Sequence, residues 1–446
     1  MKIIIAGDGE VGFHLAKLLS SENHNITIID PHTDFIKMVE NENNILAISG
    51  DPTSLEILRE NNVKRTDLFV SVIHEEKTNI ISASFAKHLG AKKTIARIAN
   101  PEYLEPENLN YFNKMGVDHL VCPERLAADE IVALLNESGA IEIFDFSQGR
   151  LSLVLIKVSE NSPFSFKQID EINALQPELI FRIVSVHRKS QTIIPKGSDI
   201  IIPNDFVYAV VRKTDTDEFL AHAGIEKYPV HNVMIVGGGR VGQKTALRIE
   251  KKMNVKLIEI DRARGRKLTG ILQDTLVIHG DGRDIQLLQQ EDISQMDAFI
   301  SVTANSETNI LNCLMAKRLG VKRVIALIDN IDFIDVAQNI GIDITINKKL
   351  ITAGHIAQFT MNARVVSVKC LYGVDAEVME FQAAPKSKAT KRIIRDLGLP
   401  DGSIIGGVVR NKIGHIATGD FQILPDDHVV VFALPEAYQK VQSYFN

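Results

Sequence analysis

Cysteine is scarce: Cys122, Cys313 and Cys370 are the only three in 446 residues. They lie far apart, without the close pairs of a metal site or the even number of a disulfide framework. Such a set reads as buried thiols in a reducing compartment. Basic runs are missing as well. With a formal net charge of −6 and no Lys/Arg block, the composition argues against a nucleic-acid partner, whose affinity rests on clustered phosphate-neutralising cations. No apolar run approaches the roughly 18 residues that span a bilayer. Residues 1–6 read as a strand feeding a glycine turn, not as a signal peptide, so a cytosolic protein is expected. There is no GK[ST] triplet and hence no phosphate-cradling P-loop. Metal-ligand spacing and clustered Ser/His/Asp or Cys/His sets are also lacking.

What the sequence does contain, it contains twice. KIIIAGDGEVG (2–12) returns as NVMIVGGGRVG (232–242), with Gly7, Gly9 and Gly12 reappearing as Gly237, Gly239 and Gly242. The match continues: NITIID (25–30) with NVKLIE (254–259), AISGDPTSLEIL (47–58) with VIHGDGRDIQLL (277–288), and TDLFVSVIHEEKTNI (66–80) with MDAFISVTANSETNI (296–310). FAKHLGAKKTIARI (85–98) then pairs with MAKRLGVKRVIALI (315–328), and GVDHLVCPERLAADEI (116–131) with GIDITINKKLITAGHI (341–356). The chain is a tandem duplication of roughly 225 residues, a period best found before any fold is assigned.

In each copy, short β-branched strands alternate with segments of helical periodicity. In the first copy the strands fall at about 2–6, 25–30, 45–49, 68–73, 93–98 and 117–121. This alternation implies an α/β fold, a doubly wound parallel sheet covered on both faces. The rest of each copy, LSLVLIKVS, FRIVSVHR, TIIP and FVYAVVR in the first, reads as a small β-rich module. The expected organisation is a Rossmann-like domain at 1–125, a β-rich module at 140–225, a second Rossmann-like domain at 231–350 and a second β-rich module at 365–446. Residues 215–230 read as the joint between halves.

A strand, then Gly7-x-Gly9-x-x-Gly12, then a helix is the order a dinucleotide fingerprint needs. The glycines allow the tight turn and close backbone approach, and the helix N-terminus presents free N–H groups to a diphosphate. Asp30 ends the second strand, where a carboxylate accepts from both ribose hydroxyls. Asp51 either bounds the adenosine side or holds a turn before Pro52. Arg97, the one cation on that strand-end edge, is either a phosphate contact or a solvated side chain. Asn79 reads as a residue that holds a helix start. The second copy keeps Gly237, Gly239, Gly242, Glu259 and Asp281, with Asp261 as an alternative ribose acid. It has Leu327 in place of Arg97, so its site is expected to bind something different or more weakly, or else to be a structural copy. NAD(H), ATP and ADP all present an adenosine ribose and a diphosphate. A carboxylate at Asp30 disfavours only the 2′-phosphate of NADP.

A dehydrogenase would need a proton-moving group beside the nicotinamide and a domain to hold substrate. His74 stands where a nicotinamide would lie, but its duplicate is Ala304, and Glu75 and Glu76 favour a solvated helix start. No substrate-sized domain follows either sheet, so an NAD-dependent oxidoreductase is the weaker reading.

A GxGxxG sheet domain with strand-end Asp30, GD at 50–51, TN at 78–79 and a β module ending PKGSDIIIPNDFVYAVV resembles the domains that regulate conductance of potassium, the RCK or KTN domains. Two such units occur in tandem, and the resemblance covers essentially the whole chain. It implies a regulatory subunit, not an enzyme, with NAD(H) or an adenine nucleotide such as ATP or ADP in each Rossmann-like domain. The first site would use Gly7, Asp8, Gly9, Glu10, Val11 and Gly12 with Asp30, Asp51, Ile73, His74 and Arg97. The second would use Gly237, Gly238, Gly239, Arg240, Val241 and Gly242 with Glu259, Asp281 and Thr303. Chains would assemble into a ring-forming homo-oligomer, a tetramer, on the inner face of the membrane. There they would gate a potassium-translocating integral-membrane subunit of Trk type. Regulation of another cation transporter, such as an antiporter, is the related alternative.

Overall fold

A computed structural model describes residues 1–7, 10–21, 24–32, 45–136, 142–189, 191–225, 228–360, 365–370 and 376–445. The chain divides into two compact units, residues 1–128 with 347–361, and residues 129–346 with 362–446.

The first unit is built on a parallel sheet of β1 (Lys2–Ala6), β2 (Asn25–Asp30), β3 (Ile45–Ser49), β4 (Leu68–Ser71), β5 (Lys93–Arg97) and β6 (His119–Val121). Their order is β3-β2-β1-β4-β5-β6, and it reverses between β1 and β4, which opens a crevice at the carboxyl ends of the strands. Successive side chains alternate between faces. Ile3, Ile5, Ile26, Ile28, Leu68 and Val70 share one core with Leu15 and Leu19 of helix Glu10–Ser21. Ile4, Ala6, Ile29 and Phe69 pack on the opposite side with Ile80, Ala83 and Ala86 of helix Glu76–His88. Each buried Ile, Leu, Val or Phe side chain among them contributes about 1.5–3 kcal/mol. Helix Lys348–Ala357 also belongs to this unit: Ala353, Ile356 and Ala357 complete the core around Leu15 and Ile28.

Next to that helix the Phe359 ring lies 4.3 Å from the His119 ring and 5.9 Å from the His355 ring. Burial lowers both imidazoles from their ordinary range. Asp118 opposes the shift at His119, Lys93 and Lys87 add to it, and His119 adds to that of His355. A histidine with a lowered folded pKa takes its proton more readily when unfolded. Stability is therefore full above the ordinary value of 6.5 and falls as pH drops below it. The urea midpoint of this unit is expected to be lower at pH 5.5 than at pH 7.5, and the difference to shrink in His355→Gln. An undiminished difference in that variant would assign the effect to other groups.

The second unit holds a second parallel sheet and both β modules. In the first module β7 (Glu142–Phe146), β8 (Leu151–Lys157), β10 (Phe181–Arg188), β11 (Gln191–Ile193) and β13 (Phe206–Arg212) form a sheet in the order β11-β10-β13-β8-β7, while β9 (Lys167–Gln168) pairs with β12 (Ile200–Ile201). The parallel sheet runs β16-β15-β14-β17-β18-β19, from β14 (Asn232–Val236), β15 (Asn254–Glu259), β16 (Thr275–His279), β17 (Ala298–Ser301), β18 (Arg323–Leu327) and β19 (Ile344–Ile346). The second module orders β20 (Val365–Cys370), β21 (Glu377–Gln382), β22 (Ser403–Arg410), β23 (Ile413–Ile416) and β24 (His428–Ala433) as β20-β21-β24-β22-β23.

The two modules share one core, in which Leu151, Leu153 and Tyr208 pack with Val378, Val430 and Phe432. Glu380, 1% exposed, joins them by accepting from the Ser147 N–H, the Ser147 hydroxyl and His428 Nδ1. Each module repeats a forked pair, Arg188 with Asp205 and Arg410 with Asp427. The stretch expected to be a joint is helical over Thr216–His222, and its Phe219 and Leu220 fill the first module's core, so only the residues after it join the halves. Cys122 and Cys313 are buried, as their spacing suggested, and burial pushes the Cys313 thiol far up.

Candidate functional site

The carboxyl edge of the second parallel sheet carries a cleft of about 760 Å³, within the range of small-molecule sites. Its floor is the glycine turn. Gly237 has φ +105°, and a Cβ on it would stand 2.9 Å from the Thr303 backbone nitrogen. A Cβ on Gly242 would stand 2.0 Å from the Gly237 carbonyl oxygen. Both positions therefore exclude any side chain, which is how the turn runs hard against the end of β17. Gly239 is the N-cap of helix Arg240–Ile249 and brings no capping side chain, so the first-turn amides remain for an anion. Gly238, Gly239 and Arg240 line the cleft, whereas Val241 is buried beneath it.

Glu259 ends β15 and is 2% exposed. Its Oε2 accepts from the Gly238 N–H at 2.7 Å and its Oε1 from the Asp261 N–H at 2.8 Å; Arg264 Nη1 lies 3.5 Å from Oε2. The glycine turn and the strand-end acid thus form one hydrogen-bonded unit. Asp261, the alternative ribose acid, caps helix Arg262–Thr269 by accepting from the Ala263 and Arg264 N–H groups, which hold its carboxyl below the usual range. Asp281 accepts from Arg283 at Nε, Nη2 and the backbone N–H, and these bonds hold its carboxyl low. Thr303 lines the cleft and gives its N–H and hydroxyl to Asn309.

Leu327, the counterpart of Arg97, is buried in β18. The positive charge comes from elsewhere: Arg240, Arg264, Lys267 and Arg283 all line the cleft. Arg240 was expected from the glycine motif; comparing the two copies position by position missed the other three, which stand on the helix after β15 and the loop after β16.

In the first unit Gly7 has φ +135°, and its Cβ would stand 2.8 Å from the Ile73 nitrogen; one on Gly12 would stand 2.6 Å from the Gly7 carbonyl oxygen. Asp8 and Gly9 lie outside the described residues, Glu10 begins the helix, and Val11 is buried within it. Asp30 is buried at the end of β2, where Oδ1 accepts from the His32 N–H at 2.8 Å. Asp51 is exposed and accepts from the Thr53 N–H and hydroxyl, the turn-holding arrangement. His74 is exposed and Arg97 half-buried at the end of β5.

Asn79 does more than hold a helix start. Its Oδ1 accepts from the Ser71 hydroxyl and the Ile73 N–H, and its Nδ2 donates to the Ile73 and Arg97 carbonyls. Asn309 does the same between β17 and β18, donating to the Thr303 and Leu327 carbonyls. The signal that locates this clamp is the repeated TN at 78–79 and 308–309.

Two doubly wound sheets, each with a glycine turn and a buried strand-end acid, and two paired antiparallel modules define a duplicated protein of Rossmann-like domains and small β-rich modules. Among solved structures, the GsuK channel bound to NAD superposes with a TM-score of 0.60 at 17% identity, over 100% of this chain and 78% of that one. The chain belongs to the TrkA family: residues 3–123 and 233–348 match the TrkA-N domain and residues 378–446 the TrkA-C domain. It is 34% identical over 443 residues to the Trk system potassium uptake protein TrkA of Vibrio alginolyticus, covering 98% of this chain and 97% of that one. It is 32% identical over 447 residues to the TrkA homolog of Archaeoglobus fulgidus, covering 100% of each.

Proposed function

We propose that the chain is the nucleotide-binding regulatory subunit of a potassium-uptake system, working on the cytosolic face of the membrane. It binds NAD(H), or ATP or ADP, at the two glycine turns, with Asp30 and Glu259 accepting from the ribose hydroxyls. Several chains assemble into a ring, a tetramer, that docks on a potassium-translocating membrane subunit. Among the described residues no helix is long and apolar enough to cross a membrane, in keeping with a pore supplied by another chain. A ligand shifts a two-state ring only by its difference in affinity for the two states, and many linked sites let small differences sum.

The observation that carries this reading is the second cleft. Its turn amides, buried Glu259 and surrounding cations suit an adenosine diphosphate moiety. Catalysis has little support there, since Ala304 lines the cleft at the place of His74.

The test is calorimetric titration of the purified chain with NADH, NAD, ATP and ADP, beside Asp30→Ala and Glu259→Ala. Two classes of site are expected, each variant weakening one by about 100-fold, as loss of hydrogen bonds to a charged group predicts. If neither variant alters any binding, the ribose assignments and the sensor reading fall together.

A further inference from the structure

Asn312 lines the second cleft on helix Ser306–Arg318 and is 0% exposed, and its Oδ1 has no hydrogen-bond partner. Its orientation is dictated by a chain of polar groups that starts at two backbone carbonyls. The carbonyls of Thr303 and Leu327 can only accept, so the Asn309 amide must turn Nδ2 toward them, at 3.1 and 2.7 Å. That leaves Asn309 Oδ1 to accept from the Ser301 hydroxyl at 3.0 Å. The Ser301 oxygen, its proton committed, then accepts from Asn312 Nδ2 at 3.2 Å. The amide of Asn312 is thereby fixed, with its carbonyl oxygen the one end left over. A buried acceptor without a donor is costly and calls for an explanation.

We propose that Asn312 Oδ1 accepts from the exocyclic amino group of an adenine seated in the second cleft, making this residue a base-specificity determinant of that site. The inference rests on the nucleotide reading above and adds which base the site selects. Position supports it. Glu259 marks the ribose, so the base lies toward the outer strands, where the cleft is walled by Gly280, Asp281 and Gly282 after β16. In the first copy the residue matching Asn312 is Ser82, whose hydroxyl donates to the carbonyl of Pro52, the counterpart of Gly282. The Asn312 side chain therefore belongs to the base end of the cleft, not the glycine turn. An acceptor so enclosed is reached only where the cleft wall parts locally on binding, and the planar amino group of a purine, entering edge-on, needs the least opening. Hypoxanthine would set its 6-oxo group against Oδ1, and the amide cannot flip without breaking the chain to Ser301. In the first copy Ser82 has its partner, so no such selection is expected there.

The experiment compares NADH with its hypoxanthine analogue, and ADP with IDP, by calorimetry on the full chain and on Asn312→Ser. That variant installs what the first half already carries at this position. One class of site in the natural chain should prefer the adenine ligands by about tenfold or more, and Asn312→Ser should remove that preference while the melting temperature is kept. Equal affinity for both bases in every class of site overturns the proposal on the natural chain alone, whether or not the variant folds; a buried water satisfying Oδ1 would give that result. A preference that survives Asn312→Ser overturns it too. If no purine nucleotide binds at all, the nucleotide reading itself fails, an outcome separate from binding without discrimination.

Discussion

Gly242→Val is expected to lower stability by about 3 kcal/mol or more and to eliminate ligand binding at the second cleft, the largest effect of any single change there. A Cβ at this position would lie 2.0 Å from the Gly237 carbonyl oxygen, and Val302 Cγ2 stands 3.2 Å away. Neither neighbour can move freely. The oxygen belongs to a turn held at φ +105°, whose next N–H is bound by Glu259. Displacing the helix start would pull Gly238 off Glu259 and disturb the turn amides that the proposed ligand would use. Urea unfolding followed by circular dichroism, paired with calorimetry, checks both parts. A natural midpoint with both binding classes intact would mean that the turn tolerates a side chain and that the close approach is not structural. Gly12→Val should act on the first unit in the same way, somewhat less severely, because its Cβ would stand 2.6 Å from the Gly7 oxygen.

Asn309→Asp should cost about 3–4 kcal/mol although the two side chains have almost the same shape. Asn309 is 1% exposed, and its Nδ2 donates to the carbonyls of Thr303 and Leu327. A carboxylate would set a negative oxygen against both carbonyls and place an unpaired charge inside the sheet edge. The sign of the pH dependence follows. Burial raises the folded pKa of the introduced acid above its unfolded value, so the deficit is full above the folded value and shrinks as pH falls through it. Chemical denaturation at pH 7.5 and pH 5 would measure this. A deficit that grows toward acid would exclude the clamp as its cause.

Much of the fold was legible because strand positions are set by local pattern. The runs KIIIA, NITIID and ILAIS became β1, β2 and β3 at the expected residues. β4 is shorter than its apolar run suggested, ending at Ser71 where residue 73 was expected, because the Ile73 N–H turns to the Asn79 side chain. No propensity encodes that bond. Gly237 and Gly242 were readable because each answers a backbone requirement at a fixed spacing, and Glu259 because it ends the second strand of its copy. Arg264, Lys267 and Arg283 were not, since they reach the cleft from elements adjacent only after folding. The duplication likewise pairs residues 341–356 with 116–131 without saying which sheet the helix over Lys348–Ala357 covers. Its apolar residues lie in the core built on Ile3, Leu15 and Ile28.

That helix gives the protein a problem of timing. β6 ends at Val121, but Lys348–Ala357, which closes the core beside helix Glu10–Ser21, is among the last quarter of the chain to be made. At about 5–20 residues per second on a ribosome, the interval is roughly 10–45 s. Throughout it Leu15, Leu19 and Ile28 lack the cover that Ala353 and Ile356 later provide. A nascent chain in this state has an apolar face open to chaperones or to a neighbouring nascent chain on the same message. A message broken between the two copies would deprive that face of the cover these residues provide.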